Sequence, residues 1–178
     1  MPNFINLPPF AEDGAVHVVI ETPRGSRAKL AYDPKLETFT LTKSLLVGLT
    51  YPHDWGFVPS TRAEDGDPLD VMVIHDAATF PGLVLACRII GILQIEQKSK
   101  GKTERNDRLF AVPRDSHSEQ ALKDVSDLSK PIRQELEKFF KATDELEDKK
   151  LNIIRWKGPK AAVQAIKDAS KSFKKSGE

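Results

Sequence analysis

The chain has 178 residues, of which 39% are hydrophobic, and this is the size of one globular domain with a single substantial core. Lys and Arg number 27 and Asp and Glu number 26, so the formal net charge is +1. Such a balance provides no overall field that would favour nucleic acid or an anionic membrane as a partner. We therefore predict one domain over residues 1–178, with no nucleic-acid and no membrane partner.

The one cysteine and the N-terminal segment bear on the compartment. Cys87 lies in an apolar run and is predicted to be a buried, unreactive thiol in a reducing environment. The N-terminus has no basic start, and no apolar stretch approaches the roughly 20 residues that span a bilayer. Residues 1–14 contain three prolines and predict an irregular arm. Together these features favour a cytoplasmic protein.

The first part of the chain is predicted to consist mostly of strands. Short runs of β-branched and apolar residues are separated by segments rich in Gly, Pro and Asp. The predicted strands cover residues 16–21, 29–32, 39–41, 71–74, 84–90, 91–95 and 109–112. The first two, joined by the turn residues 22–26, are predicted to form a hairpin.

The last third of the chain changes to helical periodicity. Ser129 provides a cap and Pro131 follows in the first turn of a predicted amphipathic helix. Its apolar face carries Ile132, Leu136, Phe139 and Phe140. A second stripe, after Gly158-Pro159, carries Val163, Ile166, Ala169 and Phe173. Strands followed by helices indicate the α+β class, and a small, highly twisted antiparallel β-barrel would leave no open sheet edge.

An acidic cluster precedes the predicted strand at residues 71–74. Asp65, Asp67 and Asp70 lie within six residues, and this crowding costs free energy unless a cation relieves the repulsion. Hard divalent cations such as Mg²⁺ prefer these oxygen ligands. Gly66 permits a sharp turn, and Pro68 favours an extended conformation at the aspartate before it. The alternative is an ordinary surface turn, since Asp, Gly and Pro are the usual turn residues.

The surroundings of this cluster carry a family resemblance. The aromatic loop Tyr51-Pro-His-Asp-Trp-Gly-Phe-Val-Pro59 precedes Glu64-Asp-Gly-Asp-Pro-Leu-Asp-Val-Met-Val73. Together they resemble the signature of family I soluble inorganic pyrophosphatases, Tyr-Pro-x-x-Tyr-Gly-x-x-Pro followed by Asp-x-Asp-Pro-x-Asp. The resemblance extends from about Val16 to residues 111–113, and more weakly into the helices.

The resemblance implies a fold and an activity. The fold is a five-stranded, OB-like barrel with flanking C-terminal helices. The activity is hydrolysis of pyrophosphate to two phosphates, with Mg²⁺ as cofactor and Mn²⁺ as a substitute. The family also forms homo-oligomers, with a hexamer favoured here and a dimer as the alternative.

The resemblance further implies a role for each matching residue. Asp65 and Asp70 would hold the activating metals, and Asp67 would act as general base toward a water whose pKa the cations lower. Glu21 would lie at the edge of the metal cluster or orient its waters. Asn106 matches a further metal position. The substrate-binding positions are Lys29, Lys43, Trp55 and Arg108.

Several carboxylates of the family pattern are absent from this chain. Ala31 and Asn106 stand where the family has acidic residues, and an amide is a weaker metal ligand than a carboxylate. Either Gln97 or Glu96 falls at a third acidic position, depending on how a longer loop is aligned. Asp107 is an alternative to Asn106 as the ligand from this segment.

Cationic and aromatic positions also differ. Lys43 replaces an arginine and loses its bidentate fork, Trp55 replaces a tyrosine, and Arg108 replaces a lysine. The Tyr-Lys pair that the family carries near residues 142–144 has no counterpart. The basic loop 98–105 either draws an anionic substrate toward the site or is a solvated hairpin tip.

We therefore predict a pyrophosphate hydrolase with a retained inner metal-and-base motif and an altered outer shell. Two alternatives remain open. One is a pyrophosphatase-like protein of impaired catalysis that binds phosphate ligands or serves in assembly. The other is a hydrolase of a different phosphate anhydride.

Overall fold

The structure is a computed structural model that describes residues 3–175. This part of the chain contains nine strands and two α-helices. The strands are β1 (Val16–Thr22), β2 (Ala28–Asp33), β3 (Thr38–Ser44), β4 (Asp54–Val58), β5 (Leu69–Val73), β6 (Val84–Ser99), β7 (Lys102–Arg105), β8 (Arg108–Pro113) and β9 (Lys150–Lys157). The helices are α1 (Lys130–Glu145) and α2 (Pro159–Lys175). Within residues 3–175, neither helix has the length and apolar character needed to cross a membrane.

Five of these strands close into a ring. Strand β1 pairs with β4, β4 with β5, β5 with β8, β8 with β6, and β6 with β1 again. The predicted five-stranded barrel with two C-terminal helices is confirmed. It is not antiparallel throughout, because β5 and β8 run parallel. The chain runs out along β6 and back along β7 before it reaches β8, and a parallel pair needs such a long crossover.

Strand β6 is longer than predicted. The two strands predicted over 84–90 and 91–95 are one strand of 16 residues that pairs with β1, β7, β8 and β9. Its register against β8 shifts between Ile89 and Gly91, which bends the strand. A Cβ atom at Gly91 would lie 2.6 Å from the Lys157 carbonyl oxygen, so only glycine allows this close approach.

The predicted hairpin of the first two strands is wrong. Strand β2 pairs with β3 in a separate two-stranded sheet, whereas β1 pairs with β4 on one edge and with β6 on the other. A side chain still links β1 to β2, since the Thr22 hydroxyl accepts the Leu30 N–H at 2.9 Å. Three strands, β4, β7 and β9, were not predicted from the sequence.

Both predicted helices are confirmed, and each covers one side of the barrel. The Ser129 hydroxyl caps α1 by accepting the N–H of Ile132 at 3.4 Å. Ile132 itself is 43% exposed, so the buried stripe begins one turn later and consists of Leu136, Phe139 and Phe140. Helix α2 buries Ala162, Ile166 and Ala169.

The N-terminal arm packs on the β2–β3 sheet. Residues 1 and 2 of the predicted arm 1–14 lie outside the described residues. The rest contains a short 3₁₀ turn, Phe4–Asn6, and an isolated bridge between Phe10 and Val16. The Phe4 ring centroid lies 5.3 Å from that of Tyr32 and 5.5 Å from that of Phe39. The described part of the arm thus packs its Phe4 ring against the β2–β3 sheet, and Ile5 lines the cavity described below.

Cys87 offers a test of the barrel interior. It is fully buried in the core, and burial raises the pKa of its thiol to about 12. Since the thiolate is the reactive form, the native protein should not react with a chromogenic disulfide reagent at pH 8. One equivalent should react after unfolding in guanidinium chloride, where the raised pKa is lost. Rapid reaction of the native protein would contradict this packing.

Candidate active site

The acidic segment forms a tight turn immediately before β5. The Asp65 carboxylate accepts the backbone N–H of Asp67 at 3.1 Å, and Gly66 adopts a left-handed φ of +93°. The Asp67 carbonyl accepts the N–H of Ala63 at 2.8 Å, which closes the turn. Asp65 and Asp67 are therefore presented by the turn, and Asp70 by the strand that follows it.

A cavity of about 290 Å³ opens beside this turn. Eight of the nine predicted site residues line it: Glu21, Lys29, Trp55, Asp65, Asp67, Asp70, Asn106 and Arg108. The ninth, Lys43, lines a smaller cavity that shares Lys29, Trp55 and Arg108 as walls. The fold thus brings together residues that are up to 87 positions apart in the chain, from Glu21 to Arg108.

Arg108 is fixed at the back of the cavity. The parallel register of β5 and β8 places it beside Asp70, and its Nη1 donates to Asp70 Oδ2 at 2.6 Å. Its guanidinium carbon lies 5.4 Å from the ring centroid of Trp55, within the range of a cation–π contact. Arg108 is only 5% exposed, and its Nε has no hydrogen-bond partner among the described residues.

The carboxylates around the cavity have raised pKa values. Burial raises the pKa of Glu21 to about 8, although the Tyr32 N–H donates to it and opposes the shift, and the charge of Asp70 adds to it. Burial also raises the pKa of Asp65, of Asp70 and of Asp144. Each of these carboxylates is desolvated, and the nearby cations and hydrogen bonds offset only part of the cost of its negative charge.

These groups suit a hard cation that keeps part of its water shell. Within residues 3–175, no group of three or more His, Cys, Asp or Glu side chains is close enough to hold a metal ion without other ligands. The cavity wall nevertheless offers oxygen donors from six carboxylates, which is the donor chemistry that Mg²⁺ and Mn²⁺ prefer. Mg²⁺ is usually bound through one or two carboxylates, and water fills its other positions.

Comparison with known proteins identifies the family. A family model described as inorganic pyrophosphatase matches residues 18–174. The inorganic pyrophosphatase of Synechocystis sp. is 34% identical over 168 residues, covering 94% of this chain and 97% of the relative. That of Streptomyces coelicolor is 37% identical over 161 residues, covering 90% and 96%. The chain belongs to the inorganic pyrophosphatase family.

Solved structures of the family agree with this assignment. The crystal structure of the inorganic pyrophosphatase from Thermus thermophilus matches with a TM-score of 0.88 at 32% identity, covering 97% of this chain and 99% of that one. The inorganic pyrophosphatase of Helicobacter pylori matches with a TM-score of 0.83 at 29% identity, covering 94% and 98%. The similarity therefore covers almost the whole chain, including the barrel and both helices.

The outer wall of this pyrophosphatase-family cavity is a chain of hydrogen-bonded amides. Arg108 Nη1 donates to Asn106 Oδ1, and Asn106 Nδ2 donates to Gln97 Oε1 at 2.8 Å. Gln97 Nε2 in turn donates to Asp144 Oδ2 at 2.5 Å. Both amides therefore use their oxygen and their nitrogen within the wall.

The alternative residues in this segment lie in different surroundings. Gln97 lines the cavity, whereas Glu96 accepts from Asn152 of β9 at 3.5 Å on the other side of β6. Asp107 is also turned away, because it accepts from Arg105 at 2.8 Å and from the backbone N–H of Ile95 at 2.9 Å. Asn106, and not Asp107, faces the site.

Three further cavity residues come from the end of α1 and the loop after it: Asp144, Glu147 and Lys149. Glu147 pairs with Lys43 at 2.7 Å and with Lys149 at 2.9 Å, and Lys29 lies 3.6 Å from it. Burial opposes ionisation of Glu147, but the hydrogen bond from Lys43 and the nearby lysine charges hold its pKa at about 2. These residues were not predicted as site residues. The available signal was the helical spacing that continues the buried stripe of α1 through Asp144.

The ion pair of Arg108 and Asp70 can be measured by a double-mutant cycle in EDTA. Arg108→Gln should lower the free energy of unfolding by about 3 kcal/mol, because it removes the buried guanidinium and leaves the partly buried Asp70 carboxylate without its counter-charge. The double variant Arg108→Gln/Asp70→Asn should lose at least about 1 kcal/mol less than the sum of the single losses. Urea denaturation followed by tryptophan fluorescence measures each value. Additive losses would contradict a direct pair.

Proposed function

We propose that this chain hydrolyses inorganic pyrophosphate to two phosphates as a Mg²⁺-dependent inorganic diphosphatase. The observation that carries the proposal is the charge of the cavity, since six carboxylates and three cationic side chains of the described residues line it. A net negative cavity would repel a polyanionic substrate unless divalent cations lie between the carboxylates and the phosphates. Family membership supplies the substrate, because the relatives are named inorganic pyrophosphatases.

The inner carboxylates are the proposed metal ligands. When bound, Mg²⁺ supplies Lewis acidity that neutralises phosphate charge and lowers the pKa of the attacking water, and Mn²⁺ substitutes for it. When bound, the cation would be held by Asp65 from the turn and by Asp70, which also pairs with Arg108. Glu21 lies at the edge of this group, and Asn106 provides the weaker amide position.

The remaining residues act on the water and on the phosphates. Asp67 is exposed on the turn and lines the cavity, so its carboxylate can accept a proton from the attacking water. Lys29 binds a phosphate oxygen as a compact charge, and Arg108 does so from the back wall against Trp55. Lys43 donates to the Thr143 carbonyl and pairs with Glu147, so it supports the phosphate site from behind.

The proposal is tested by phosphate release from pyrophosphate with Mg²⁺ or Mn²⁺. Asp67→Asn should lower kcat by about 10²–10⁴-fold, because the amide has the same shape but accepts no proton. Asp115→Asn is the matched control, since this aspartate is 82% exposed in its side chain and lies outside the cavity. The control should keep the activity of the unmodified chain.

Other outcomes of this assay point elsewhere. Release that Asp67→Asn leaves unchanged would rule out the assigned general base. An unmodified chain that releases no phosphate with either metal would favour a phosphate-ligand-binding or assembly protein. That second candidate is favoured by the neutral cavity residues Ala31, Gln97 and Asn106. Faster release from another phosphate anhydride would identify a retuned hydrolase.

We also propose a cytoplasmic homo-oligomer, with a hexamer favoured and a dimer as the alternative. Large apolar side chains exposed on the single chain, including Leu46, Val47 and Phe80, support an interface between copies. Light scattering coupled to gel filtration should therefore give a mass several times the 19.9 kDa of one chain. A monomeric mass at assay concentrations would contradict assembly.

A further inference from the structure

The outer wall of the cavity holds one buried carboxylate for which the family resemblance gives no role. Asp144 lies in the last turn of α1, is 6% exposed, and lines the same cavity as the aspartates of the acidic segment. The residues before it on the same face, Leu136 and Phe140, are buried in the core. The helix therefore delivers a carboxylate to the cavity along its apolar stripe.

No salt bridge joins Asp144 to a lysine or arginine of the described residues. The charges of Arg108 and Lys149 act on it from farther away and only partly offset its burial, so its pKa stays raised. Among the described residues, Lys43 and Lys149 pair with Glu147, and Arg108 pairs with Asp70. The hydrogen bond that Asp144 accepts is from the neutral amide of Gln97 at 2.5 Å. A buried anion without a cation in direct contact is costly, and buried charges in proteins are usually paired or coordinate metals.

The position of Asp144 matters because the neighbouring strand residues are neutral. Ala31, Gln97 and Asn106 line the cavity where the family pattern has acidic residues. The side-chain oxygen of Gln97 already accepts a hydrogen bond from Asn106, and that of Asn106 accepts one from Arg108. The Asp144 carboxylate, one hydrogen bond from Gln97, thus offers a charged oxygen donor beside these neutral side chains.

We propose that Asp144 binds a divalent cation on the outer side of the cavity and replaces the carboxylate missing at residue 97. The inference rests on the proposed function, since that function provides the reason for divalent cations in the cavity. Gln97 holds the Asp144 carboxylate in place through its amide, and the outer carboxylate comes from the helix instead of from the strand. Arg108, whose Nε lacks a partner among residues 3–175, lies at the far end of the same hydrogen-bonded wall.

The test is Mn²⁺ binding to the full chain without pyrophosphate, measured by electron paramagnetic resonance of the free ion. Asp144→Asn keeps the size of the side chain and an oxygen that accepts from Gln97, but it loses the charge. We expect it to weaken the outer Mn²⁺ site at least about tenfold. Glu145→Gln, an exposed neighbour on the same helix, is the matched control and should bind Mn²⁺ like the unmodified chain.

A second variant tests whether the charge itself matters. The exchange Gln97→Glu/Asp144→Asn keeps the size of both side chains and the hydrogen bond between them, and moves the carboxylate across that bond. It should recover most of the affinity lost in Asp144→Asn. A double variant that binds as weakly as Asp144→Asn would overturn the proposal, because the defect would then not be one of charge. Unchanged Mn²⁺ binding in Asp144→Asn, or an equal loss in Glu145→Gln, would overturn it as well.

Stability measurements exclude unfolding as the explanation. In EDTA, Asp144→Asn should unfold at the same temperature as the unmodified chain or at a higher one, since it removes a buried charge that forms no salt bridge among the described residues. Added Mg²⁺ should raise its Tm less than that of the unmodified chain. A Tm in EDTA well below that of the unmodified chain would contradict the inferred cost of this buried charge.

The two proposals fail in different ways. If Asp144→Asn weakens Mn²⁺ binding but the unmodified chain releases no phosphate from pyrophosphate, the metal site stands and the proposed activity is wrong. If the chain hydrolyses pyrophosphate but Asp144→Asn leaves its Mn²⁺ affinity unchanged, the proposed activity stands and the proposed role of Asp144 in metal binding is wrong.

Discussion

The parallel pairing of β5 with β8 is the constraint on which the barrel and the site both depend. It closes the ring of five strands, and its register sets Asp70 beside Arg108. Neighbouring strands lie about 4.8 Å apart, so this register brings the carboxylate and the guanidinium into contact without further adjustment. The antiparallel partner of β5 on its other side is β4, which carries Trp55 under the guanidinium. Closing the barrel therefore also builds the back wall of the cavity.

Charge in the cavity is distributed unevenly. The lysines that approach it, Lys29, Lys43 and Lys149, all turn toward Glu147, and Arg108 turns toward Asp70. The remaining carboxylates of the wall receive backbone or amide hydrogen bonds at most, and burial raises the pKa of Glu21 and of Asp65. Such an arrangement lowers the stability of the ligand-free chain and is relieved when cations bind, so folding and metal binding are linked.

The sequence predicts those parts of the fold that local periodicity encodes. Both helices follow from their apolar stripes, and the acidic turn follows from its Gly and Pro. Strand β4 is buried along its whole length, so no alternation marks it, and Gly91 interrupts the pattern of β6 at its bend. The predicted β1–β2 hairpin failed because a turn signal does not specify strand partners, which here come from distant segments.

The same contrast applies to the site. Asp65, Asp67 and Asp70 meet because one turn and the start of β5 hold them, whereas Arg108 joins them through the pairing of two strands that are distant in the chain. Asp144 could not be assigned by matching positions, since the family pattern near residue 142–144 is a different pair of side chains. Its helical spacing from Phe140 does place it on the buried face, and a carboxylate there needs a partner. A position-by-position comparison counts the acid missing at residue 97 as a loss. Cation binding in the cavity depends on where a carboxylate lies in space and not on which residue number carries it. The Asp144 carboxylate lies one hydrogen bond from the side chain of Gln97.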